Sequence, residues 1–122
     1  MGIQVMKGKP RVKTVQRPWG KFELLALNVE CTVKIISVKP GQALSLQSHR
    51  RRDEYWVVLD GQGTIQVNGR KMRAARGKQV FIRRGQRHRL SAGKNPVRVL
   101  EVSFGKFLEH DEKRFSDRYG RK

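Results

Sequence analysis

Gln47, His49, Glu54 and His88 are the residues of this chain whose types and spacing can hold a metal ion. Gln47 and His49 are two apart, so on an extended strand they leave from one face. After a basic bend, Glu54, Trp56 and Val58 follow at the same period of two and can line the same interior from a returning strand. Turn glycines Gly41 and Gly61 frame this segment; a second segment opens at Gly77 and closes on His88. Imidazole nitrogens with carboxylate and amide oxygens make a mixed N/O shell for one divalent ion, zinc first, with manganese, iron, cobalt or nickel as alternatives. Taken alone, His49 and Glu54 would read as polar residues at a bend; the glycine frame and His88 turn that reading toward a metal. Gln47, a neutral amide and a weak ligand, either coordinates or orients a substrate. His110 lies outside both segments among charges and reads as a surface histidine.

The elements that must position these donors are short strands. From Phe22 onward apolar alternation is broken by turn signals, with Lys39-Pro40-Gly41 suited to a type II turn and Asn68-Gly69 to a hairpin, because glycine and asparagine tolerate positive φ. No helix-period segment intervenes before about Gly105. Many short strands without long helices predict an all-β fold, a small antiparallel barrel or sandwich whose interior can hold a ligand. Residues 1–15 read as a basic N-terminal arm, to which Val12 and Val15 could add an edge strand, and residues 16–122 as a single domain. The tail from Phe107 is mixed in pattern and is expected to form a helical turn followed by a closing segment.

Composition narrows the function classes. A chain of 122 residues fits one domain. Cys31 is the single cysteine, so neither an intrachain disulfide nor a thiolate metal cluster can form, and a reducing cytoplasm is the expected setting. No apolar run long enough for a signal peptide opens the sequence, and nowhere are there about 18 consecutive apolar residues, which argues against export and a membrane partner. The 28 basic against 10 acidic residues give a net charge of +18, an attraction for anions such as phosphorylated metabolites or nucleic acid, or simply a solvated surface. The few aromatics are not interleaved with the basic residues as a base-stacking platform requires, so specific nucleic-acid binding is not expected.

The two segments also carry a resemblance. The first follows the cupin pattern G-x5-H-x-H-x4-E-x6-G at Gly41, His49, Glu54 and Gly61, with Gln47 in the first histidine position. The second follows G-x5-P-x-G-x2-H-x3-N at Gly77, Gly85 and His88, with Arg83 in place of proline and Ala92 in place of asparagine. More narrowly, the chain resembles the type II phosphomannose isomerase cupin, usually met as the C-terminal domain of bifunctional mannose-1-phosphate guanylyltransferase/mannose-6-phosphate isomerase proteins. That likeness rests on Arg17-Pro18-Trp19-Gly20, Val38-Lys39-Pro40-Gly41, Leu44-Ser45-Leu46-Gln47, Trp56-Val57-Val58, His88-Arg89-Leu90 and Asp117-Arg118-Tyr119-Gly120-Arg121. Gln47 in the first ligand position is itself a mark of that family. Arg50 and Arg51 stand where the family often has further histidines, and Arg83-Arg84 replace its proline-alanine.

The resemblance implies a jelly-roll barrel and interconversion of mannose 6-phosphate and fructose 6-phosphate through a cis-enediol(ate), with a divalent ion as Lewis acid. It implies Glu101, on the strand that ends near Ser103, as the base that moves the proton, against the alternative of a structural carboxylate. By similarity of their blocks, Arg17, Lys21 and Arg121 are candidates for binding the phosphate and Trp19 for stacking on the sugar. The guanylyltransferase half has no room in 122 residues. The rival readings are a non-catalytic cupin that binds a phosphosugar or other anion and, on charge alone, a basic nucleic-acid-binding domain. A barrel this small can also form a homodimer through its sheets.

Overall fold

Two long strands that pair with each other and then curl decide this architecture. In the computed structural model, which describes residues 13–106, 108 and 110–121, nine strands follow in order. They are β1 (Lys13–Arg17), β2 (Gly20–Leu24), β3 (Cys31–Val38), β4 (Leu46–Ser48), β5 (Arg52–Val67), β6 (Arg70–Ala75), β7 (Gln79–Ile82), β8 (His88–Gly105) and β9 (Lys113–Ser116). β5 and β8 pair antiparallel from Arg52 opposite Gly105 to Val67 opposite His88. The register shifts twice, between Val58 and Asp60 and between Gly61 and Gly63. Gly61 has φ +90°, and a Cβ there would lie 1.9 Å from the Pro96 carbonyl oxygen, so only glycine lets the ladder bend here. The bend is what allows Glu54, near one end of the ladder, to reach His88 at the other, with Oε1 and Nε2 3.6 Å apart.

The remaining strands close the barrel. β6 and β7 pair with β5, β3 and β4 with β8, and β9 with β4, all antiparallel. Directly opposed residues share a face. The inner face therefore carries Arg52, Glu54, Trp56 and Val58 from β5, Ser103, Glu101 and Val99 from β8, and Thr32, Lys34 and Ile36 from β3. Its apolar part is a cluster that includes Val38, Trp56, Val58, Ile65, Ile82, Leu90, Val97 and Val99. On the outer face Tyr55, Val102 and Phe104 are covered by Leu25, Ala26, Val29 and Cys31. The sequence expectation of an all-β antiparallel barrel therefore holds.

The helical turn expected in the tail is a correction: among the described residues the tail holds turns and β9, and no helix. Backbone pairing with β4 outcompetes a local helix, and the Arg87 guanidinium lies 3.9 Å from the Phe115 ring centroid, fixing the strand from its side chain as well. Most of the expected arm, residues 1–12, lies outside the described residues. The boundary expected after residue 15 falls inside β1, where Thr14 and Val15 pair with Glu23 and Phe22.

Candidate metal centre

The donors meet because three strands deliver them to one end of the barrel. Gln47 lies directly opposite His88 across β4 and β8, so both side chains leave on the same face. His49 follows two residues later, and Glu54 enters from β5. His49, Glu54 and His88 are all buried, and their ligand atoms lie within 4.8 Å of one another. His49 Nε2 is 3.2 Å from Glu54 Oε2. The two imidazole rings are tilted by 49° with centroids 5.0 Å apart.

Both histidines are held in the tautomer that a metal requires. His49 Nδ1–H donates to the Asp111 carbonyl at 2.9 Å, and His88 Nδ1–H donates to the Gln86 carbonyl at 3.0 Å. A carbonyl can only accept, so the proton sits on Nδ1 of each ring; the Nε2 lone pair of His88 lies toward Glu54, while that of His49 also accepts from Arg52 Nη2–H at 3.1 Å. The Gln47 amide nitrogen donates to Ser45 Oγ at 3.0 Å, which turns its oxygen, the only ligating atom of an amide, away from that contact. The donor set thus fits a divalent ion in chemistry and orientation.

Electrostatics keeps Glu54 ionised. Burial opposes its charge, but His88, His49 and the Arg52 guanidinium outweigh burial and hold its carboxyl below the usual range. Burial pushes His88 below the ordinary imidazole range, with the Glu54 charge pulling the other way. A histidine kept neutral is a ligand; the permanent counter-charge to Glu54 is therefore Arg52, whose Nε–H donates to Oε2 at 2.9 Å. Trp56 Nε1–H donates to Oε1, also at 2.9 Å.

Glu101 occupies the same inner face, opposite Trp56, and is buried. Burial first, then the charge of Glu54, raise its carboxyl to about 7, while Lys34 and the Ser103 hydroxyl pull it down. Ser103 Oγ–H donates to Oε2 at 2.8 Å, and Lys34 Nζ lies 3.7 Å from that same oxygen.

Residues 6–117 match the family described as mannose-6-phosphate isomerase C-terminal. The chain belongs to this family. It is 40% identical over 111 residues to the mannose-1-phosphate guanylyltransferase ManC of Salmonella typhimurium, over 89% of this chain and 23% of that protein. It is 38% identical over 111 residues to the xanthan biosynthesis protein XanB of Xanthomonas campestris, over 89% and 24%. The chain thus spans about a quarter of the length of the curated relatives it matches. A cupin protein from Bacteroides fragilis superposes with a TM-score of 0.59 over 71% of this chain and 78% of that one, at 22% identity, a likeness of fold alone.

The other residues expected to serve an isomerase-type cupin are not among the gathered donors His49, Glu54 and His88. Arg17, Trp19 and Lys21 sit on the β1–β2 hairpin, where Trp19 is 73% exposed and Arg17 stacks on Phe22. Arg121 is paired with Asp117 and, with Tyr119, lines a cleft of about 530 Å³ beside Ser37, Lys39 and Gln42. The same cleft is lined by Leu44, three residues before Gln47 and so roughly 10 Å from it at strand rise. His110 is exposed, and no helix among the described residues is long and apolar enough to cross a membrane.

Sequence reasoning missed two residues of the centre. Arg52 was not among the expected site residues, its basic run being read as an attraction for anions or a solvated surface, yet it stands two before Glu54 on the same strand and is only 4% exposed; the alternation carried the signal. Asp111 is 62 residues from His49 and had none. Its carboxylate also accepts the backbone N–H groups of Arg50 and Arg51, which hold it below the usual range against the cost of partial burial.

Proposed function

We propose that this domain interconverts mannose 6-phosphate and fructose 6-phosphate, with one divalent ion, zinc first among candidates, held by His49, Glu54, His88 and Gln47. The observation that carries the reading is the pair of imidazoles whose Nδ1 protons are spent on backbone carbonyls, so that each Nε2 is the atom available for ligation, gathered with a Glu54 carboxylate oxygen within 4.8 Å. When bound, such an ion supplies Lewis-acid polarisation of a substrate carbonyl, a contribution of several kcal/mol.

The chain's own residues supply the proton chemistry. An aldose–ketose isomerisation removes a proton from C2 and returns one to C1, so a single group must act as base and then as acid. A carboxyl raised to about 7 divides its population between the two forms near neutral pH, which suits Glu101 to that cycle. Ser103 and Lys34 both address Oε2, leaving Oε1 as the atom to face the substrate. Arg17, Lys21 and Arg121 serve the phosphate and Trp19 the sugar ring in this reading, from the hairpin and the cleft; for these four the support is the family resemblance of their blocks. The phosphosugar substrate and the one, half-buried cysteine suit a cytoplasmic setting. A homodimer would form where β3 turns Val33 and Ile35 outward, 56% and 54% exposed.

The test is an isomerase assay on metal-loaded protein in deuterated water. Turnover of mannose 6-phosphate, abolished by a chelator and restored by divalent metal, with deuterium entering at C1 or C2, is expected. Binding of the sugar phosphate with neither turnover nor exchange would replace this reading with a non-catalytic phosphosugar-binding cupin.

A further inference from the structure

Between Asp60 and Glu101 the sequence has eleven arginines and lysines and no acidic residue. The fold gathers part of that stretch on one outer sheet face. Lys71 lies opposite Gln66 across β6 and β5, and Gln66 opposite Arg89 across β5 and β8; the next row on the same face is Arg73, Thr64 and Ser91. The alternate residues Met72, Ile65 and Leu90 point the other way, into the apolar cluster. Two residues before Arg89, the Arg87 guanidinium stacks on Phe115 of β9, 3.9 Å from the ring centroid, with Lys113 Nζ at 5.3 Å. Lys71, Arg73, Arg87 and Lys113 are exposed, and Lys71 and Arg73 have no hydrogen bond or ion pair with a described residue. Arg89 donates Nε–H and Nη2–H to the Leu44 and Ser116 carbonyls, each at 3.0 Å, which fixes its place without neutralising its charge. The bordering carboxylates are matched elsewhere: Asp60 by Arg98, Glu112 by Arg114 and Asp117 by Arg121.

We propose that this face docks double-stranded nucleic acid through its phosphates, without sequence preference. Cations stand on both sides of it, Lys71 and Arg73 on β6 and Arg87 and Lys113 toward β9, with the neutral donors Gln66, Thr64 and Ser91 between. The guanidinium forks of Arg73 and Arg87 match phosphate oxygens, and stacking on Phe115 leaves the N–H edge of Arg87 to reach one. A single strand gains most from aromatic faces on which its bases stack. Phe115 already carries the Arg87 guanidinium over its ring, and the two rows hold no other aromatic. A duplex keeps its bases stacked inside and offers phosphates alone, one charge per about 1.7 Å of its axis. Contacts to phosphate position a protein and carry no sequence information.

The test must separate a face from the net charge of the whole molecule. Fluorescence anisotropy of a labelled mixed-sequence duplex of about 20 base pairs is followed with the full chain from about 50 to 200 mM salt. The double variant Lys71→Gln/Arg73→Gln should bind roughly tenfold more weakly than wild type and flatten the slope of log K against log salt by about 2, as two lost phosphate contacts require. The control Lys21→Gln/Lys106→Gln removes the same charge from exposed positions on β2 and just after β8, off this face, and should change affinity less than about twofold. Exchanging the two cations, Lys71→Arg/Arg73→Lys, keeps the charge and should keep wild-type binding. Equal losses in the two glutamine variants would mean that net charge alone binds, and overturn the proposal. Unchanged affinity in Lys71→Gln/Arg73→Gln would do so too, leaving those cations the role of keeping an edge strand from pairing with another copy. Tighter binding of a single strand of the same length, or competition by a carboxylated polysaccharide as effective as by unlabelled duplex at equal charge, would overturn the choice of partner. None of these variants touches a metal donor, so every outcome leaves the proposed isomerase reading to its own assay.

Discussion

The two halves of the barrel interior are built by the same alternation and filled with opposite chemistry. At one level β5 and β8 present Arg52, Glu54, Ser103 and Glu101, joined by His49, Gln47 and His88, all buried. One or two inward positions further on, the same strands present Val58, Val99, Val97, Ile65 and Leu90, between fully buried and 1% exposed. Trp56 is the seam, its indole N–H on Glu54, its ring in the apolar cluster and edge-on to His88 at 5.6 Å. Apolar burial contributes about 25 cal/mol per Å², whereas each buried polar group costs about 1–3 kcal/mol unless it is hydrogen-bonded. A barrel selected for stability alone would carry the apolar pattern throughout, since well-packed apolar residues commonly match or exceed a buried ionic cluster. The polar half is therefore where the fold gives up stability for chemistry.

The largest effect that can break this contrast is on the metal. His88→Ala or His49→Ala should remove bound ion and isomerase activity altogether, because the remaining donors are too few to fill the shell, and elemental analysis of purified protein checks it. Retained metal in the double variant would make the polar half a structural network. Next comes Glu101→Gln, which should lower kcat by about 10²- to 10⁴-fold with metal content unchanged, as loss of a general acid–base does. A parallel loss of metal would instead assign Glu101 to holding the site.

How much of this was legible without coordinates follows the range of each interaction. Gln47, His49, Glu54, Trp56 and Val58 were readable because period two and the glycine frame are local. His88 needed the second motif, since its approach to Glu54 depends on the bend at Gly61. Arg52 obeyed the same alternation as Glu54 but was hidden in a run of arginines. Asp111 could not be read at all, because its contact with His49 is made by a backbone carbonyl, which any residue offers. The tail was read as holding a helical turn from local composition, and lost to the edge of β4, a partner 65 residues away for Lys113. Arg17, Trp19, Lys21 and Arg121 entered through family blocks alone, and they lie on the hairpin and the cleft beside Gln42.

The apolar half gives a smaller effect of another kind. Leu90→Ala should destabilise the fold by about 2–5 kcal/mol, measured by urea denaturation, and leave metal stoichiometry unchanged. Leu90 is fully buried, and its chain neighbour in the inner row is His88. Loss of metal in a variant that remains folded would show that the two halves are coupled through β8, so that apolar packing also sets the ligand geometry.

The smallest expected effect concerns the cost of the polar half itself, read in the metal-free protein from the pH dependence of stability. Glu101 is raised from 4.5 to about 7, chiefly by burial. Below about pH 4 the folded and unfolded chains both hold the proton, so the carboxyl adds no pH-dependent penalty. Between pH 4.5 and 7 the unfolded chain has released it while the folded chain keeps it, so stability falls as pH rises, and above 7 the loss is complete. Glu101→Gln cannot ionise and removes this term. The stability of the variant minus that of wild type should therefore climb across that window by up to roughly 3 kcal/mol and then level off. Lys34 pulls the Glu101 carboxyl down, so Lys34→Met should move the window to higher pH. A difference that stays flat from pH 4 to 8 would mean that Glu101 ionises like an exposed carboxylate, and its place as the proton-transferring group would fall with it.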